Sequence, residues 1–160
     1  MSNSTVKQLL ARINYRIDED PQENEIFISW INDMVQYIGM RLVALSSDLV
    51  QTSFSLSYGT DGQTASLPDM FWGLACHPHV DGQTRQLDPL PDEETALNYT
   101  SSNTSITYYK VRNDLLYIYP PTSATIGVKG WYYKLPTAIT KLSSEIPWNG
   151  AFDVLIEEAF

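Results

Sequence analysis

Ile106-Thr107-Tyr108-Tyr109-Lys110-Val111 and Leu115-Leu116-Tyr117-Ile118-Tyr119 flank Arg112-Asn113-Asp114. Each arm is rich in β-branched and aromatic residues, and the short polar link between them is a hairpin turn. Pro120-Pro121 ends the second arm, because proline cannot donate to a strand ladder. A third strand is expected over Ile126 to Leu135, with Val128, Tyr132 and Lys134 on one face and Trp131, Tyr133 and Leu135 on the other. Pro136 stops it.

Upstream of the hairpin the β character persists. Val50, Thr52, Phe54, Leu56 and Tyr58 alternate with polar residues, the period of a half-buried strand. Gly59-Thr60-Asp61-Gly62 is a turn, and Ala65-Ser66-Leu67-Pro68 returns as a short edge strand. Phe71 to Val80 is read as another strand, with a hairpin at Asp81-Gly82 leading into a strand over Gln83 to Leu87. Pro89-Leu90-Pro91-Asp92-Glu93-Glu94 opens a short helix, with acids in its first turn, that ends near Leu97. Asn98 to Ser105 is a polar loop.

The first forty-five residues read as helical. Ser4 can cap a helix carrying Val6, Leu9, Leu10, Ile13 and Ile17. Asp18-Glu19-Asp20-Pro21 breaks it, since acids at a helix C-terminus oppose the macrodipole. A second helix begins near Asn24-Glu25, with Phe27, Trp30, Ile31, Met34, Val35, Ile38, Leu42 and Leu45 as its stripe. Ile26 and Ile28 lie off that stripe, so one partner helix cannot cover it and a further helix or another subunit is expected. Ala151 to Phe160 reads as a final helix.

The fold class expected is therefore α+β. An N-terminal antiparallel helical hairpin and a C-terminal helix form a small bundle, with an inserted antiparallel β-rich region of about five to seven strands. One domain spans 1–160, its helical part over 4–46 and 150–160 and its β-rich part over 48–136. The length, 160 residues, suits one core.

Charge and cysteine content narrow the function. Nineteen acids against ten bases give a net charge of -9, and seven of those nine charges fall between Ser46 and Leu97. Such a chain lacks the basic surface that drives nucleic-acid or anionic-membrane affinity. The one cysteine, Cys76, excludes an intrachain disulfide. No signal-peptide pattern opens the chain and no apolar run is long enough to span a membrane. Without a secretion signal, the sequons at Asn3, Asn98 and Asn103 read as polar loops.

Catalytic readings find little support. Cys76-His77-Pro78-His79 is the one cluster of metal-capable side chains, but neighbours in a strand point to opposite faces and no second cluster completes a tetrahedral set. Neither a nucleophile elbow nor a phosphate-cradling glycine loop is present. Asp18-Glu19-Asp20 and Asp92-Glu93-Glu94 read as solvated helix ends, without calcium-loop spacing; a glycosidase carboxylate pair is a matter of three-dimensional separation. No catalytic residue, cofactor or metal is expected.

Aromatics are concentrated late in the chain: Tyr108, Tyr109, Tyr117, Tyr119, Trp131, Tyr132 and Tyr133. Three readings are open for them: a subunit interface, ordinary core and edge packing, or a ligand-stacking surface such as a carbohydrate-binding module. The candidate interface residues are Trp30, Met34, Ile38, Tyr117, Tyr119, Trp131, Tyr133 and Phe160.

Taken in order, several segments resemble the portal–tail adaptor (head–tail connector or head completion) proteins of tailed bacteriophages. They are the paired helices with Trp30-Ile31-Asn32-Asp33, and the return from Leu56-Ser57-Tyr58-Gly59 to Ser66-Leu67-Pro68-Asp69-Met70-Phe71-Trp72. Val80-Asp81-Gly82 and the acidic helix after Pro89 follow, then Tyr108-Tyr109 and Leu116-Tyr117-Ile118-Tyr119-Pro120. The series closes with Trp131-Tyr132-Tyr133-Lys134-Leu135-Pro136 and Ile146-Pro147-Trp148. The resemblance covers nearly the whole chain, through its ordered set and not through any single motif. It implies a non-enzymatic virion protein, made in the host cytoplasm and placed in the neck. Such a protein forms a ring with copies of itself, usually twelve, docks on the portal, meets a downstream tail or nozzle protein, and lets DNA pass without specific binding; no membrane is involved. In such proteins the final helix or a tail after it grips the portal. This chain ends at Phe160, where they usually continue, which leaves that grip to residues beyond Phe160 or to other surfaces. Acids facing a channel would repel passing phosphates.

Overall fold

A computed structural model of the chain describes residues 5–12 and 21–148. The chain divides into two compact units, Met1–Val50 with Leu135–Phe160, and Gln51–Lys134.

The second unit is built on two four-stranded sheets. Its strands are β1 (Gln51–Tyr58), β2 (Thr64–Ser66), β3 (Phe71–Leu74), β4 (His79–Val80), β5 (Asp88–Pro89), β6 (Tyr108–Arg112), β7 (Leu115–Tyr119) and β8 (Ile126–Lys134). In the first sheet β8 is central. Its residues 126–133 pair with the whole of β1, from Gln51↔Tyr133 to Tyr58↔Ile126, and its other side pairs with β3 and then β4. The second sheet runs β2-β7-β6-β5, with β5 parallel to β6 and the other pairs antiparallel. The β6–β7 hairpin turns on Asn113 (φ 50°) and Asp114 (φ 59°). Two consecutive left-handed residues make the tight link whose twist matches that of the flanking strands, and Asn and Asp tolerate that conformation.

Alternation supplies the core between the sheets. Phe54 and Tyr58 of β1, Val128 and Tyr132 of β8, and Leu116 and Ile118 of β7 are buried together with Leu67, Val80, Leu87 and Ile106. The Tyr58 hydroxyl donates to the Leu116 carbonyl at 2.9 Å, tying one sheet to the other through a buried hydrogen bond. Phe71 stacks on Tyr132 with centroids 5.7 Å apart. Gly130 stands opposite Phe54, and a Cβ there would lie 2.9 Å from the Phe54 ring. The small residue is what lets that ring lie across β8.

In the first unit, α1 (Val6–Arg12) is capped reciprocally by Thr5 and Gln8: Thr5 N–H donates to Gln8 Oε1 at 2.8 Å and Gln8 N–H to Thr5 Oγ1 at 3.3 Å. The long helix α2 (Pro21–Ala44) has 24 residues, about 36 Å. Its buried side is Ile31, Val35 and Ile38, packed with Val6, Leu9, Ile139 and Ile146. A single 3-10 turn, Asp48–Val50, follows it.

These observations correct the expected fold class. Two sheets totalling eight strands dominate, in place of a helical hairpin plus C-terminal helix bundle with an inserted region of five to seven strands. Among the described residues, α2 is covered by α1 and by the irregular strap 135–148. The strap meets α2 through Pro136 and Ile139 and meets α1 through Val6 N–H to Ser144 O (3.1 Å) and Lys7 N–H to Leu142 O (2.9 Å). The expected final helix, 150–160, lies outside the described residues. The expected strand over 71–80 is interrupted at 75–78, and 83–87 forms no strand; Leu87 N–H instead donates to Pro78 O at 2.8 Å. The acidic helix appears as α3 (Glu93–Leu97), with the Asp92 side chain accepting from Thr95 N–H at 2.6 Å.

Candidate functional site

The aromatic strands divide between two surfaces. Tyr117 and Tyr119 alternate with buried Leu116 and Ile118, so they face out of the second sheet and are half-buried. Trp131 and Tyr133 alternate with Gly130 and Tyr132, so they face out of the first sheet; Trp131 is 50 % exposed. The two pairs therefore sit on opposite outer faces of the sandwich and do not form one stacking platform. Part of the second sheet's face is covered: Glu93 of α3 pairs with Lys110, and Tyr99 lies against Tyr108 with centroids 5.6 Å apart. Burial pushes the Tyr119 phenol above its ordinary range.

An open groove of about 390 Å³ runs along the side of this unit, lined by Phe71, Trp72 and Leu74 from β3 and by Leu90, Tyr109 and Val111. Its lining is mostly apolar and carries no converging acid, base and nucleophile. Cys76, His77 and His79 are dispersed. His77 Nδ1 lies 3.2 Å from Leu87 O, its ring meets Tyr109 edge-on, and His79 sits in the ladder opposite Lys129. Among the described residues no group of three metal-capable side chains converges.

The acids between Ser46 and Leu97 all lie at the surface. Among the described residues three of the eight form ion pairs: Asp81 with Lys129 at 2.8 Å, Asp88 with Arg85 at 3.5 Å, and Glu93 with Lys110. Hydrogen bonding to Lys129 holds the Asp81 carboxyl below its usual range, and hydrogen bonding to Lys110 does the same for Glu93. The Thr95 N–H lowers Asp92.

On α2 the candidates part company. Trp30 is exposed, Met34 is half-buried, and Ile38 points into the core at 9 % exposure. Phe160 lies outside the described residues. The helix carries a second apolar row: Ile26, Trp30, Tyr37 and Met40 are exposed by 50, 48, 49 and 44 %. Arg41 lies over the Tyr37 ring, 5.6 Å from its centroid. Asp33 completes the four-three-four-three spacing of that row. The spacing was available in the sequence, but a helix with two apolar rows does not say which one is buried.

The model of the SU10 adaptor protein family matches residues 4–160 of the chain. The chain belongs to that family of phage head–tail adaptors. SU10 adaptors are structural virion components, and membership agrees with the resemblance read from the ordered segments. It places the chain among proteins that associate with phage portal and tail proteins in the virion neck. No curated protein matches the chain. No helix among the described residues is long and apolar enough to cross a membrane.

Proposed function

We propose that the chain is a ring-forming neck protein that docks on the portal and extends the DNA channel toward the tail, in about twelve copies matching the portal. The observation that carries this reading is the family match from residue 4 to residue 160, which spans both compact units. Exposed apolar side chains, Tyr37 and Met40 on α2 and Trp131 on β8, agree with it by offering contact area. A head-to-tail contact repeated around an axis closes a ring. The acids of 46–97 lie at the surface, and those turned toward a lumen would repel phosphates and let DNA slide.

Co-sedimentation with purified portal rings of the same phage tests the reading. The expected result is saturable binding of the chain to the portal, at a fixed ratio and with no DNA present. Failure to bind under conditions in which tails assemble contradicts it.

A further inference from the structure

β1 is an edge strand of the first sheet, and the ladder shows which of its backbone groups are open. Ala75 N–H donates to Trp131 O and Asp81 N–H to Gly127 O, so the odd residues of β8 turn their backbone groups toward β3 and β4. The even residues of β8 then bond to β1 through Thr52, Phe54, Leu56 and Tyr58, which stand opposite Tyr132, Gly130, Val128 and Ile126. That leaves the N–H and C=O groups of Ser53 and Ser55 at the open edge, where no described residue hydrogen-bonds them. β2, which leaves the turn after β1, pairs with β7 instead. Ser53 and Ser55 are small and exposed.

Edge strands are blunted by charge, proline, bulges or brevity. The other described edges carry such devices. β2 has three residues, and β3 has four with a register shift between Phe71 and Gly73. β4 is two residues long and bridged by Gln86, and β5 is Asp88–Pro89. β1 has none of them. It runs for eight residues in unbroken register, about 27 Å, and the sequence from Leu49 to Thr60 holds no charged residue and no proline. In a chain of net charge -9, two copies can approach along that stretch without opposing acids.

We propose that β1 is an interface with a second copy, in which the two β1 strands pair antiparallel about a two-fold axis centred on Phe54. Ser53 of each copy stands opposite Ser55 of the other, and these two pairs exchange about four backbone hydrogen bonds. Thr52 and Leu56, half-buried at this edge, come opposite each other and cover one another. The match is self-complementary, because the same residues supply the open groups on both strands, while no charge or pocket on this edge selects a foreign strand. Few bonds over a narrow strip make the pairing weak and reversible. It concerns the chain free of portal and stands apart from the ring reading.

Sedimentation equilibrium and amide exchange on the full chain, without portal, test this. The expected result is a mass that rises from one chain toward two with concentration, while exchange at Ser53 and Ser55 slows and exchange at Phe54, already bonded to Gly130, stays slow throughout. A single mass up to about 1 mM overturns the proposal, as does a dimer in which Ser53 and Ser55 exchange as fast as in the dilute chain. Multimers that grow past two through β1 show head-to-tail pairing and also overturn it. Ser53→Lys with Ser55→Lys should leave a single mass at every concentration, with thermal unfolding of the dilute chain unchanged. Ser55→Pro, which removes an open-edge N–H and spares the bonds to β8, should weaken the pairing as well. A dimer that survives both variants overturns the proposal. Antiparallel pairing turns Asp48 of each copy toward Asp61 of the other, so added salt should strengthen the dimer. A dimer that salt dissolves rests on ion pairs and overturns the proposal.

Discussion

Asn32 and Ile139 exchange two hydrogen bonds. The Asn32 amide donates to the Ile139 carbonyl at 2.7 Å, and its oxygen accepts from Ile139 N–H at 2.7 Å. One side chain on α2 thereby satisfies both backbone groups of a strap residue that no strand pairs. The Gln36 amide repeats the donation to Pro136 O at 3.2 Å. An irregular segment can cover a helix only if its backbone polar groups find partners, and these two amides provide them.

Asn32→Leu should accordingly destabilise the first unit by about 1–3 kcal/mol, since it leaves two part-buried backbone groups unmatched. Asn32→Asp should also destabilise it, because a carboxylate can still accept from Ile139 N–H but faces the carbonyl without a donor. Urea unfolding and amide exchange at Ile139 measure both. Exchange at Ile139 should accelerate before exchange at the central strand β8.

Gly130→Ala should destabilise the sheet unit by about 1–3 kcal/mol, because the added methyl meets the Phe54 ring at 2.9 Å. Adding Phe54→Leu should recover part of that loss, so the two changes should be non-additive in thermal unfolding. Additive losses would mean that the ring and the glycine do not compete for the same space.

Tyr58 governs the alkaline limb. Burial raises its phenol well above 10, so the folded state holds the proton more tightly than the unfolded chain does. Stability is then unaffected below about pH 10 and falls as pH rises past the unfolded value. Tyr58→Phe should flatten that limb. It should also lower stability at neutral pH, because the Leu116 carbonyl loses its donor. Urea midpoints at pH 8 and above pH 10 separate the two effects.

The acid limb has the opposite sign. Asp81 and Glu93 are held below their ordinary values by Lys129 and Lys110, so their contribution is present above the unfolded carboxylate range near pH 4. It is lost as pH falls through the lower folded values. Lys129→Met and Lys110→Met should shrink the stability lost below pH 4, and added salt should mimic them because both pairs reach the surface.

Local sequence disclosed some of these features and not others. The β6–β7 hairpin was legible because turn chemistry and strand composition agree over adjacent residues, from Tyr108 to Tyr119. The long helix was legible from period alone. The strap was not: Leu135 to Trp148 has no apolar period, and its role depends on Asn32 and Gln36 more than a hundred residues away or nearly so. The break between β3 and β4 also escaped, since Ala75 to Pro78 reads as continuous with Phe71 to Leu74 until β8 is known to pair with both ends. The buried side of α2 was illegible for a related reason. Apolar period marks faces but does not say which face meets the core, and here Ile38 meets it while Tyr37 and Met40 do not.

The most direct measurement is a cryo-electron microscopy reconstruction of the neck in tailed particles of the phage that encodes the chain. The account predicts a closed ring of copies of this chain between portal and tail, with DNA passing through the centre unbound. A neck in which portal and tail meet without this chain, or in which the chain is present outside the axial channel and not as a ring, would contradict it.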